Sequence, residues 1–237
     1  MLTAICPIRF RQNWIIAADA ANFLFPQSKN WTTLSEVRLK DNQDNIAGNI
    51  DLVVVSYDDN GEVVDFGAVE IQSVYISGNL SNPFRHYMKA PISNHNMDWT
   101  NRENYPRPDY LSSTRKRLAP QLIYKGTILR AWNKKISVVV HESLYNTLPK
   151  MPEVSKNQAD IAWHIYNFSH DSVNNVYNLV RSKTIYTKFK AALDQITQSE
   201  PGDIREFIDI LQSKLNEKLP DLNHTPPTEE PDTPQIF

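Results

Sequence analysis

Two apolar runs on either side of a tight turn stand out in the chain. Residues 50–57 and 63–76 are rich in Val, Ile, Phe and Tyr, and they flank Asn60-Gly61. Asn-Gly favours the positive φ angles that a two-residue type I′ turn requires. The uninterrupted Leu-Val-Val-Val run at 52–55 is typical of a central strand covered on both faces. The pattern therefore predicts a largely buried hairpin.

This hairpin carries acidic residues where burial makes them costly. With a two-residue loop, Asp59 faces Glu62, and counting back places Asp51 opposite Glu70, with Cβ atoms about 5 Å apart. Gln72 shares that face because side chains alternate along a strand. Opposed carboxylates repel, so the pair needs a proton, a cation or a divalent metal such as Mg²⁺, which suggests phosphodiester chemistry. The alternative is that both acids merely flank exposed strand ends.

Apolar periodicity in the rest of the chain predicts an α/β fold with a central mixed sheet flanked by helices. The expected helices span residues 11–25, 31–39, 79–88, 114–132, 185–197 and 203–219. Further strands are expected at 136–140 and at 161–168, the second as the last strand of the chain. We expect one domain over residues 1–219 and a disordered tail, rich in proline and acids, over 220–237.

Basic residues gather in a long polar stretch and at the start of the helix that follows it. The stretch spans residues 89–113 and contains several aromatic and Asn residues. The basic cluster consists of Arg102, Arg107, Arg115, Lys116 and Arg117. Arg and Lys contact phosphates, and Arg also reads guanine edges. We therefore expect an inserted DNA-contacting loop at about 89–117, the alternative being a solvated helix face.

Composition narrows the class of protein. Of 237 residues, 41% are hydrophobic and 22% charged, with a net charge of −2, which is typical of a soluble globular protein. Cys6 is the single cysteine, so we expect a buried thiol, no disulfide framework and a cytoplasmic location. No secretion signal, membrane span or Gly-rich phosphate loop is recognisable, so neither a membrane nor a nucleotide cofactor is expected. His141 and His164 lack partners at zinc spacing and are expected to be structural.

Four stretches carry a resemblance to a known family. They are SEVRL at 35–39, GNIDLV at 48–53, the Glu-Ile-Gln triplet at 70–72 and RPDYLSSTRKRLAPQL at 107–122. With them the chain resembles the NotI-type restriction endonucleases up to about residue 168. Glu36, Asp51, Glu70 and Gln72 look like a PD-(D/E)xK nuclease core in which a glutamine replaces the usual lysine.

The resemblance implies a type II, Mg²⁺-dependent, site-specific endonuclease that acts on double-stranded DNA as a homodimer. Asp51, Glu70 and the carbonyl of Ile71 would hold the metal, and Gln72 would position the attacking water. Glu36 would support the metal site from outside, although it could instead be a solvated helix carboxylate paired with a lysine four residues on.

One family feature is missing, and two other functions remain open. NotI-type enzymes carry a cysteine-rich iron-binding element near the N-terminus, which Cys6 alone cannot form, so either this member lacks the element or the chain begins late relative to its relatives. The alternatives are a non-catalytic, sequence-specific DNA-binding protein and a repair or recombination nuclease with the same core.

Overall fold

Six strands form one mixed sheet. This computed structural model describes residues 2–27, 30–94, 97, 106–199 and 201–222. In the order in which they lie side by side, the six strands are β1 Trp31–Lys40, β2 Ile46–Tyr57, β3 Val63–Gln72, β6 Ile136–His141, β7 Ile161–Asp171 and β8 Val176–Thr187. β3, β6 and β7 run parallel, and the other neighbours are antiparallel. Two short strands, β4 Tyr75–Ser77 and β5 Arg107–Asp109, pair separately. The predicted central mixed sheet with flanking helices is confirmed.

Helices flank the sheet within the unit Met1–Thr197. They include Ile15–Leu24, preceded by the 3-10 segment Pro7–Trp14, then Ser81–Lys89, Pro91–Asn94, Glu142–Tyr145, the 3-10 turn Lys156–Gln158 and Phe189–Thr197. What we call the site helix comprises four consecutive segments, Ser112–Leu118, Ala119–Gln121, Leu122–Gly126 and Thr127–Ala131, of which the first and third have π-helical bonding. The second unit, Gln198–Phe237, contains the helix Ile204–Leu222.

The two faces of the sheet bury separate cores. On one face, the apolar stripe of the site helix, Leu118, Leu122 and Leu129, packs with residues such as Val53 and Val138. On the other, the helix Ile15–Leu24 packs over Leu52, Val54 and Val69. Strands buried on both faces explain the continuous apolar run at 52–55. None of the helices in the described ranges is long and apolar enough to cross a bilayer.

The hairpin turn differs from the predicted one. Glu62 accepts a hydrogen bond from the Asp58 N–H, and Gly61 is the turn residue with positive φ, so the connection is a three-residue loop rather than a type I′ turn. A bulge at Val64 then adds one residue to β3, since Tyr57 faces Val63 while Ser56 faces Asp65. The bulge offsets the longer loop, and Leu52 faces Val69 as the predicted register requires.

Two other predicted elements were wrong. Residues 31–39 form strand β1 rather than a helix, because the segment pairs with β2 from Trp31 to Lys40. Its apolar spacing fitted either structure, and long-range pairing decided between them. Residues 161–168 belong to β7, but β8 follows it as the last strand, so the next helix begins at Phe189 rather than at residue 185.

A buried histidine makes stability depend on pH. His164 on β7 is 1% exposed, and burial lowers its pKa to about 4, helped by nearby cationic residues. The unfolded chain therefore binds a proton between pH 6.5 and 4 that the folded protein excludes, so this stability is fully present above pH 6.5 and is lost as the pH falls towards 4. The free energy of unfolding of the wild type should fall between pH 7 and pH 4.5, and we expect this fall to be about 2 kcal/mol smaller in His164→Gln. Urea denaturation at the two pH values measures it. The exposed His170→Gln is the control, and an unchanged pH profile for His164→Gln would contradict the prediction.

A glycine on the site helix allows close packing. A Cβ at Gly126 would lie 2.4 Å from Cε2 of Phe189 and 3.3 Å from Cδ1 of Ile136. We expect Gly126→Ala to destabilise the fold by about 1–2 kcal/mol, since the overlap with a ring outweighs the better helix propensity of alanine. Gly202→Ala, which meets nothing within 4 Å, should not destabilise the protein. Thermal melting of both variants checks this, and equal stability of the two would count against the packing argument.

Candidate active site

Three carboxylates lie in one row across neighbouring strands. On β1, the two neighbours of Glu36 pair with the two neighbours of Asp51 on β2, so the two acids lie at the same level of the ladder. The β2–β3 ladder ends at the pair of Leu52 and Val69, and Asp51 and Glu70 are the next residues along the two strands. Burial is the main reason that the pKa values of Asp51 and Glu70 are raised, and the charge of Glu36 adds to both rises. The structure thus brings together the three acids that the sequence singled out.

The sheet is distorted at this row. Ile50 and Leu52 are two residues apart on β2 but belong to opposite cores, so the strand is twisted at Asp51. On β1, Glu36 has a φ of 55°, in the left-handed region that non-glycine residues rarely adopt. Oδ2 of Asp51 accepts a 2.7 Å hydrogen bond from the backbone N–H of Ile71. Such strain is concentrated at functional sites in proteins.

The row opens onto a cleft of about 430 Å³. From the sheet, Glu36, Asp51, Ile71 and Gln72 line it, while Arg11 and Arg117 contribute cations from the flanking segments. Burial raises the pKa of Asp51, and the hydrogen bond from Ile71 opposes that rise. Sequence reasoning had placed Arg11 only at the start of a helix.

Glu70 lies behind this cleft and is 1% exposed. Its Oε2 accepts a 2.6 Å hydrogen bond from Nζ of Lys125, while its Oε1 is buried without a hydrogen-bond partner. Burial raises the pKa of Glu70 to about 7, Lys125 opposes the rise, and Asp51 adds to it. Glu70 is therefore held by one oxygen only.

Sequence reasoning missed Lys125. It lies on the third segment of the site helix, and its Nζ also donates to the carbonyl of Asn49 at 2.7 Å. A signal was present, because Lys125 falls in the apolar stripe between Leu122 and Leu129 at helical spacing. A lysine on a buried helix face needs an acidic or carbonyl partner.

Gln72 is one of the residues that line the cleft. It is 6% exposed, and its Nε2 donates to the carbonyl of Ser73 at 2.6 Å. This bond uses the amide nitrogen and leaves the side-chain oxygen as an acceptor. Gln72 therefore presents a neutral hydrogen-bonding group at the cleft.

Basic residues are exposed on the site helix and on β5, and one of them, Arg117, lines the cleft. Arg115, Lys116 and Arg117 are exposed on the site helix, and the guanidinium of Arg117 lies 4.4 Å from the ring centroid of Tyr75. Arg107 is exposed on β5. Arg102 lies outside the described residues, as does much of the expected loop around it.

Cys6, His141 and His164 are not among the residues that line the cleft. Cys6 is exposed, which corrects the expected buried thiol. It belongs to an irregular segment, so burial could not be judged from helix spacing. Nδ1 of His141 accepts a hydrogen bond from the backbone N–H of Ser143 at 3.1 Å, and Nε2 of His164 lies 3.2 Å from Oγ of Ser137.

Within the described ranges, no three His, Cys, Asp or Glu side chains are grouped so as to hold a metal by themselves.

Comparison with known families bears on this cleft. A family model described as restriction endonuclease NotI matches residues 1–179, which include every acid and cation discussed above. A search among curated protein sequences found no match. The family match spans 179 of the 237 residues and confirms the resemblance. The chain therefore belongs to the NotI restriction endonuclease family.

Proposed function

We propose that the chain is a Mg²⁺-dependent type II restriction endonuclease that cuts double-stranded DNA, and that its active site is the cleft lined by Asp51 together with the buried Glu70 behind it. Family membership implies a site-specific DNA endonuclease, and such enzymes usually need a divalent metal. The observation that carries the finer proposal is the row of carboxylates on a distorted part of the sheet. This row is our reason for assigning the chain a PD-(D/E)xK core.

The residues present fit a hard divalent cation. Oε1 of Glu70 is buried and unpartnered, and Asp51 lines the cleft beside it. Mg²⁺ is commonly bound through one or two carboxylates, several waters and a substrate phosphate, so two acids suffice. Asp51, Glu70 and the carbonyl of Ile71 would hold the ion. A Mg²⁺ ion held there would supply a lowered pKa for a bound water and positive charge beside the scissile phosphate.

The side chains around the acids have separate roles. Gln72 accepts a hydrogen bond from the attacking water and orients it, without exchanging a proton itself. Glu36 supports the site from the outer edge of the row. Arg117 and Arg11 offset the charge of the phosphate, and Arg115 and Lys116 contact the DNA backbone.

We propose that the enzyme acts as a homodimer. Enzymes that cut palindromic sites commonly place two copies about a two-fold axis, because protein symmetry then matches site symmetry. Each copy would then meet an equivalent phosphodiester, one on each DNA strand.

Incubation of plasmid or phage DNA with the protein and Mg²⁺ tests the function. Discrete fragments support a site-specific endonuclease. A gel shift without cleavage would indicate a non-catalytic DNA-binding protein, and smeared or structure-dependent products would indicate a repair nuclease. Sequencing the fragment ends identifies the recognition site and the cleavage offset.

Removing either acid should abolish cleavage. We expect Asp51→Asn and Glu70→Gln each to lower the single-turnover cleavage rate on the order of 10³-fold or more, since each loses a charge proposed to hold the metal. Glu62→Gln, an exposed acid of the same hairpin, is the matched control and should cut normally. Circular dichroism verifies folding, and full activity of either variant would refute the assignment.

Removing exposed basic residues from the start of the site helix should weaken DNA binding. We expect the double variant Arg115→Ala/Lys116→Ala to reduce the slope of log K against log salt concentration by about 2, because two phosphate contacts are lost. Lys188→Ala/Lys190→Ala removes equal charge near the opposite end of the parallel strands and should leave the slope unchanged. Binding isotherms in Ca²⁺ at several salt concentrations measure both, and equal slopes for the two variants would contradict the proposed DNA surface.

A further inference from the structure

The site contains a buried lysine that the roles above leave unassigned. Lys125 is 4% exposed, and its Nζ lies 2.6 Å from Oε2 of Glu70 and 2.7 Å from the carbonyl oxygen of Asn49. Fully buried lysines are rare unless they are paired. The ammonium and the carboxylate therefore determine each other's position.

The backbone around Lys125 accommodates it closely. Gly48 has a φ of 126°, a conformation that L side chains rarely adopt. A Cβ at that position would lie 3.5 Å from Cδ of Lys125, in contact with its aliphatic stem. The carbonyl of the next residue, Asn49, accepts a hydrogen bond from the ammonium. Strand β2 thus contributes a surface for the stem and an acceptor for the charge.

Glu70 and Asp51 are each held by a hydrogen bond to one carboxylate oxygen. Lys125 bonds Oε2 of Glu70 and leaves Oε1 without a hydrogen-bond partner. The backbone N–H of Ile71 bonds Oδ2 of Asp51. A buried acceptor without a partner is destabilising, and a bound cation would satisfy it. The single bond from Lys125 therefore selects which oxygen of Glu70 remains available.

We propose that Lys125 is a positioning residue of the metal site: it holds Glu70 by Oε2 so that Oε1 is presented to the cation. It also supplies positive charge beside the acids, which neutral Gln72 cannot do. This inference rests on the proposed function, because it takes Glu70 as a metal ligand.

Two variants separate positioning from simple charge neutralisation. Lys125→Met removes the ammonium from a side chain of similar length. Lys125→Arg keeps the charge that the buried Glu70 requires, but a guanidinium bonds both carboxylate oxygens and so occupies Oε1. Lys134→Met is the matched control, because Lys134 forms a 2.5 Å pair with Asp65 and both side chains are partly exposed.

The measurement is the affinity of the full chain for Mn²⁺ in the absence of DNA. Electron paramagnetic resonance detects the free ion and so gives the amount bound. We expect both Lys125 variants to weaken Mn²⁺ binding about 10-fold or more, the usual effect of losing a group that orients a ligand. The metal concentration for half-maximal cleavage should rise by the same factor. The Lys134 variant should bind Mn²⁺ like the wild type.

Wild-type affinity in Lys125→Arg would overturn the inference, since Lys125 would then serve only as a counter-charge. This variant also decides the matter if Lys125→Met fails to fold. Glu70→Gln separates the two levels of the proposal. Undiminished Mn²⁺ binding by Glu70→Gln would refute the proposed metal site itself, whereas its loss together with normal binding by both Lys125 variants would refute only the role of Lys125.

Discussion

The buried ion pair between Glu70 and Lys125 is the interaction on which the cleft depends. Transfer of either charge from water into the protein costs several kcal/mol, and only close pairing with further hydrogen bonds offsets this cost. Here the pair is 2.6 Å long, and Lys125 has the Asn49 carbonyl as a second acceptor. Because the two residues come from β3 and the site helix, the pair fixes these elements against each other beside the row of acids.

The same row explains why the sheet is irregular where it is. Carboxylates opposite each other on neighbouring strands repel, and a regular pleat would place all three on one buried face. The left-handed φ of Glu36 and the reversed alternation at Asp51 instead bring these two acids to the cleft, while Glu70 stays behind it. The strain is balanced by the two cores that cover the sheet on both faces.

The sequence was sufficient for the register of the hairpin but not for its turn. Alternation and apolar continuity located β2 and β3, and the bulge at Val64 offset the loop residue that turn chemistry had not predicted. β1 was mistaken for a helix because the spacing of apolar residues at 31–39 fits either structure. Only the pairing with β2 decides between them. The ion pair of Lys125 depends on a contact between residues 55 positions apart, which local patterns cannot supply. Its place in the apolar stripe of the site helix was nonetheless visible.

We propose that two tethered acids share a divalent ion with a DNA phosphate, and this proposal is supported by membership of the NotI family and by the hydrogen bonds that hold each acid. Crystals of the protein with DNA and Mn²⁺, measured at a wavelength where manganese scatters anomalously, test this most directly. We expect an anomalous peak between Oε1 of Glu70 and the carboxylate of Asp51, with Lys125 still bonded to Oε2. A peak elsewhere, with Oε1 of Glu70 still unliganded, would contradict it.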